Sequence, residues 1–186
     1  MIFTSDNGPV LDDGYADRAV ELLHGHTPAG PLRGGKYSAF DGGTRVPFVV
    51  RWPGQVKTGV SDALVSQVDF LASFAALTGQ TLAPGAAGDS VNVWPALLGR
   101  TNTARDYVIE QAGPLAIIVG RWKYIEPHAG ATMDPGTRIE LGNDAGAQLY
   151  DVSKDLGERH NVAAEFPRIV EALAARLQQI RDRPPR

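Results

Sequence analysis

The apolar run Ile2-Phe3-Thr4-Ser5, followed at once by Asp6-Asn7-Gly8-Pro9, constrains this chain most. It predicts a strand over residues 2–5 that stops in a tight turn. In open α/β sheets, functional groups gather at such carboxyl ends of strands. Asp6 and Asn7 place a carboxylate and an amide side by side there, two hard oxygen donors suited to Ca²⁺ or Mg²⁺. The same residues also make ordinary turns, in which Asp and Asn bond their own backbone.

Residues 10–35 are rich in Gly, Asp and Pro and predict a long ordered loop, with a helical turn or two over 15–23. Within it, His24 and His26 flank Gly25. Imidazoles two apart can point at one transition metal, zinc or manganese, or His26 can act as base and His24 contact a bound ester. As a bare pair they equally suit a solvent-facing loop. Asp12 and Asp13 follow the turn and are expected to stay solvated. Lys36, after Gly34-Gly35, is a mobile point charge for a sulfate or phosphate oxygen, and the glycines permit close backbone approach. Arg45 precedes a buried-type strand over 46–50 and reads as a structural partner for an acidic residue.

Further on, Val68, Leu71, Phe74, Ala75 and Leu77 predict an amphipathic helix over 66–77, stopped by Gly79. A short helix is expected over 91–98. A boundary near 101–105 then divides 1–105 from 106–186. The second part predicts strands over 107–111, 115–119, 122–125 and 148–152, and Ile169, Val170, Leu173, Leu177 and Ile180 predict a helix over 166–180. An antiparallel sheet with a packed helix follows. Trp52, Trp94 and Trp122 stand apart and are expected to serve packing, and His128 and His160 to lie at the surface.

With Ser5-Asp6-Asn7-Gly8-Pro9, Leu32-Arg33-Gly34-Gly35-Lys36 and Asp41-Gly42-Gly43-Thr44-Arg45 in order, the chain resembles the formylglycine-dependent sulfatases of the alkaline phosphatase superfamily. Arg121-Trp122-Lys123-Tyr124-Ile125, Leu149-Tyr150-Asp151 and the Gly157-Glu158 turn with Asn161 extend the resemblance to the C-terminal part. It implies an α/β fold: the later strands of the sulfatase sheet in 1–105, and a small antiparallel-sheet-plus-helix subdomain in 106–186. It makes Asp6 and Asn7 calcium ligands and Lys36 the lysine that binds the substrate anion. It also casts the aromatics of 122–125 and 149–151 as subdomain core, their charges as strand edges, and Glu158 and Asn161 as a turn leading into the helix. In that family a hydrated formylglycine attacks the sulfur of a small-molecule sulfate ester, and two further acidic residues complete the metal shell. The chain has no cysteine, and the nucleophile motif Cys/Ser-X-Pro-X-Arg is absent. The expectation is therefore a sulfatase-lineage chain, either a metal-dependent hydrolase of activated sulfate or phosphate esters without formylglycine, or a non-catalytic packing or binding remnant.

A net charge of −3 with no basic block argues against nucleic acid or anionic membrane as partner. No apolar run approaches the ~20 residues of a membrane span. Zero cysteines exclude disulfides and zinc–thiolate sites. No leader is visible at Met1-Ile2-Phe3, although the family is typically exported, so the compartment stays open. An opened sheet at residues 2–5 predicts exposed apolar surface and, with it, a homodimer. The C-terminal arginines are expected to form a frayed tail.

Overall fold

The structure, a computed structural model, describes residues 1–183, so 184–186, half of the tail expected to fray over 181–186, lie outside the described residues, while Arg181 instead ends the last helix. In chain order the elements are β1 (Ile2–Thr4), α1 (Asp41–Thr44), β2 (Phe48–Val50), α2 (Phe70–Thr78), α3 (Trp94–Leu97), β3 (Val108–Gln111), β4 (Leu115–Val119), β5 (Trp122–Ile125), β6 (Gln148–Asp151) and α4 (Pro167–Arg181). Two 3₁₀ turns, Glu21–Leu23 and Gln67–Asp69, complete the set. The chain forms two compact units, one of Met1–Phe3, Phe48–Val108 and the segment from Asp182, the other of Thr4–Pro47 and Ile109–Arg181. Residues 4–47 thus group with the C-terminal half, a pattern that a linear division at 105/106 does not follow.

In the first unit β1 and β2 form a two-stranded sheet. The expected helix over 66–77 starts later, because Ser66 and Asp69 form a capping box around a 3₁₀ turn before α2. Gly79, with φ 67°, closes it through its N–H on Ala75 and Ala76 carbonyls. Its orientation differs from the amphipathic expectation. Val68, Leu71, Phe74 and Leu77 are exposed, whereas Asp69, Ser73 and Ala75 are buried. The reason is polar: the backbone of 91–93 needs acceptors. Asp69 Oδ1 accepts the Val91 N–H and Ser73 Oγ the Val93 N–H, both at 3.0 Å. That tether also keeps 91–93 out of the expected helix, which shrinks to α3. Arg105 Nε lies 2.7 Å from Asp69 Oδ2 and neutralises it. Trp52 and Trp94 are not isolated: their rings pack at a tilt, centroids 5.8 Å apart, and Trp94 meets Phe74 at 6.1 Å.

In the second unit β3-β4-β5-β6 form one sheet in that order, with β4, β5 and β6 antiparallel. Gly120, with φ 57°, supplies the left-handed residue for the two-residue turn that pairs Val119 with Trp122. The register sets Lys123 opposite Tyr150. Helix α4 buries Leu173 and Leu177 and packs on β4 and β5. Ala39, Phe40, Ala116, Ile125 and Tyr150 form a buried cluster, with Phe40 edge-on to Tyr150 at 6.0 Å. The core therefore holds the segment just after Lys36. The helix expected over 15–23 is reduced to Glu21–Leu23, because Asp12 and Asp17 bond the N–H groups of Gly14 and Ala19 and so favour turns.

Candidate functional site

The Asp6-Asn7 turn is self-bonded. Asp6, at the surface, accepts the Asn7 N–H at 3.0 Å, and the Asn7 amide donates to the Gly8 carbonyl at 2.9 Å. The next residues fasten this turn to a second one. Gly8 N–H donates to the Gly43 carbonyl at 2.8 Å, and Lys36 N–H donates to the Pro9 carbonyl at 2.9 Å. Only glycine fits at position 8, since a Cβ there would stand 1.7 Å from the Gly42 carbonyl oxygen. At Gly35 a Cβ would stand 2.6 Å from the Pro9 oxygen. Two motifs far apart in sequence thus share one backbone seam.

Lys36 carries a partner that the sequence reading left in solvent. Its Nζ lies 2.8 Å from Asp13 Oδ2, and the Tyr37 hydroxyl donates to Asp13 Oδ1 at 3.4 Å. Asp13 is therefore a counter-ion, half-buried by the pair it makes, and not a solvated loop carboxylate. Its hydrogen bond, with help from Tyr37, pushes the Lys36 ammonium up to about 12. Lys36 is thus fully cationic at neutral pH.

His24 and His26 are exposed, His24 as the left-handed residue that ends the Glu21–Leu23 turn (φ 48°). Among the described residues no group of three or more His, Cys, Asp or Glu is placed to hold a metal ion, so Asp6, His24 and His26 are not assembled into one. The oxygens of Asp6 and Asn7 suit calcium in type but not in number, since the ion takes roughly six to eight. By themselves they do not fit a cation.

A cluster of one lysine and three carboxylates joins this seam through Asp41, two residues before Gly43. Lys123, from β5, is fully buried, with Nζ 2.7 Å from Asp41 Oδ1, 3.0 Å from Glu110 Oε2 and 3.2 Å from Glu158 Oε1. This corrects its reading as a strand-edge charge. The first contact is a hydrogen bond. The other two sit at ion-pairing distance without hydrogen-bond geometry. Glu158, expected in a simple turn, instead accepts the Asp41 N–H at 2.6 Å. Asn161 keeps the turn role, accepting from Leu149 and Ala163. Arg45 lies 3.4 Å from Asp41, the acidic partner expected for it. Arg33 donates to the Glu158 carbonyl at 2.7 Å and to Glu140 at 2.6 Å, its guanidinium 3.9 Å over Phe40. Burial pulls the Lys123 ammonium down, but three carboxylates outweigh it and hold it above the usual lysine range. Burial, with Asp41 adding and Lys123 opposing, pushes Glu158 up to about 7. Tyr124 and Tyr150 are core residues as expected, and His128 and His160 lie at the surface.

The strand-end turn, the lysine turn seamed to it and the antiparallel sheet with α4 define the α/β class expected, a sulfatase-type sheet portion with a small antiparallel subdomain. The sulfatase family profile matches residues 1–80. The chain is 51% identical over 185 residues to the N-acetylgalactosamine-6-O-sulfatase of Bacteroides thetaiotaomicron, covering 98% of this chain and 36% of that protein. It is 33% identical over 191 residues to human arylsulfatase A, covering 93% and 36%. A solved structure from work on the metabolism of multiple glycosaminoglycans by Bacteroides thetaiotaomicron superposes with a TM-score of 0.94 at 51% identity, over 98% of this chain and 38% of that one. This chain belongs to the sulfatase family and corresponds to the C-terminal part of such a protein. It spans little more than a third of the length of these relatives.

Proposed function

We propose that this chain carries the cation-and-anion side of a sulfate-ester hydrolase site. Lys36 pairs with the sulfate oxygens of the ester, and Asp6 and Asn7 give two oxygens to a divalent cation, calcium being the ion of the family. The observation that supports this most is the seam of Gly8 on Gly43 and Lys36 on Pro9, which draws the two motifs together. Asp13 occupies Lys36 in the way that an ester anion would, so substrate entry exchanges one anion for another. His26 as a base and His24 as a substrate contact belong to the same proposal, on the exposed loop that precedes Lys36 in sequence. By analogy with the relative at 51% identity, the substrate is a 6-O-sulfated N-acetylgalactosamine. The nucleophile and the remaining cation ligands are residues that this sequence does not contain, and a formylglycine-dependent turnover by these 186 residues alone is not expected. Residues 1–105 carry the site and 106–186 support it. Self-association through the β1–β2 surface belongs to the proposal as well.

The test grafts these 186 residues onto the Bacteroides thetaiotaomicron sulfatase in place of its matching segment, and measures sulfate release from 6-O-sulfated N-acetylgalactosamine. The expected result is an active chimera that loses at least about 100-fold in kcat/KM on Lys36→Ala and on Asp6→Ala, the scale of a removed electrostatic contact. A folded, active chimera indifferent to Lys36→Ala rules the reading out. The unmodified chain is assayed in parallel against sulfate and phosphate esters with calcium, zinc or manganese. Metal-restored turnover lost in Asp6→Ala would favour the formylglycine-independent hydrolase instead.

A further inference from the structure

Three separate segments converge on Lys123, namely α1 through Asp41, β3 through Glu110 and the turn at Glu158. Net stability is a weak reason for such an arrangement, because a buried ion pair roughly breaks even against well-packed apolar side chains. What the lysine does fix is the place of α1. Asp41 opens that helix, held at its side chain by Lys123 and at its N–H by Glu158. The next two residues leave no slack. A Cβ at Gly42 would stand 2.3 Å from the Arg33 carbonyl oxygen, and one at Gly43 would stand 2.2 Å from that of Ser38. Gly43 is also the residue that receives Gly8. A shift of Asp41 therefore passes through rigid backbone to the Asp6-Asn7 turn on one side and to the Lys36 turn on the other.

We propose that Lys123 is a positioning residue, clamping Asp41 so that the Gly42-Gly43 backbone sets the Asp6-Asn7 turn against the Lys36 turn. The functional meaning of this rests on the half-site reading above, whereas its readout is the backbone alone.

The experiment is amide hydrogen exchange on the 186-residue chain, followed at Gly8, Lys36 and Gly42, whose N–H groups make the seam and its shelf. Glu126, Val152 and Val162, with backbone hydrogen bonds in the antiparallel sheet and beside it, serve as references. Lys123→Met alone strands three buried carboxylates and can unfold the chain. The decisive variant therefore combines it with Asp41→Asn and Glu158→Gln, which removes two of the three stranded charges as well as the clamp, leaving only Glu110. Exchange at Gly8, Lys36 and Gly42 is expected to quicken at least tenfold, with the references moving less than twofold. Unchanged exchange at those three amides overturns the proposal, since Lys123 would then only neutralise charge. Glu158→Gln alone, which keeps an acceptor for the Asp41 N–H but turns an amide donor toward Lys123, answers the question should the triple variant not fold. There a threefold quickening at the same amides is expected, and no change again overturns the proposal. Glu110→Gln, which touches Lys123 but not α1, should leave all three amides as they were, and a seam loosened as much as in the clamp variants would also overturn it. Because no ligand is involved, failure of the chimera to depend on Lys36 would sink the half-site reading without touching this result.

Discussion

Glu158 is a carboxyl group whose burial raises its affinity for a proton, against the pull of Lys123. Its folded value of about 7 stands above the ordinary 4.5, so the folded state binds its proton more tightly than the unfolded state does. The stabilisation this gives is complete below the ordinary value and is lost as pH rises through the folded one. Between pH 5 and pH 8 the urea midpoint should therefore fall with rising pH, and Glu158→Gln should flatten that slope. Asp134 and Asp151 work the other way, held low by hydrogen bonds to Thr137 and Ser153, but they act at pH values beneath this window. Lys123→Met should cost about 3–5 kcal/mol in equilibrium unfolding, the usual consequence of breaking a buried pair. Asp13→Ala should let the Lys36 ammonium drop from about 12 toward 10.5, a change readable by NMR titration of its side-chain nitrogen. At this scale the sequence was uneven. Lys36 and Asp6 could be singled out because the residues beside them are glycines and turn formers. Lys123 could not, because Asp41 and Glu158 lie 82 and 35 residues away along the chain. The one local hint is that Lys123 shares a strand face with Ile125, in a strand whose other side carries Trp122 and Tyr124.

Elements were legible where their causes are local. The β4–β5 hairpin announces itself through Gly120 and the apolar runs either side, and α4 through leucines at helical spacing. The face presented by α2 was not legible, because backbone groups some twenty residues downstream claim Asp69 and Ser73. The same holds for 91–93, where side-chain tethers replace the first turn of a helix. Within the site, the seam depends on the absence of a side chain. Gly8→Ala should lower unfolding free energy by about 2 kcal/mol or more, since the clash is with rigid backbone. The measurement is the denaturant midpoint, with the Asn7 and Gly43 amide shifts reporting whether the turn has moved. Leu177→Ala, deep under α4, should cost about 2–5 kcal/mol and leave the seam amides in place.

At the level of the whole molecule, Phe3 and Val49 stand 60% and 52% exposed on the paired β1 and β2, next to a chain edge that has one neighbour. Light scattering at micromolar concentration should give about twice the mass of one chain, and Phe3→Lys with Val49→Lys should return it to one. A single-chain mass for the unmodified protein would remove the dimer. The grouping of 4–47 with 109–181 has another consequence, in time. The Asp41 N–H finds its acceptor 117 residues further along the chain. At a synthesis rate of about 5–20 residues per second, the segment bearing Lys36 leaves the ribosome roughly 6–23 s before its anchor does. Until that turn emerges the Asp41 N–H lacks this acceptor, and a chaperone has its opportunity there.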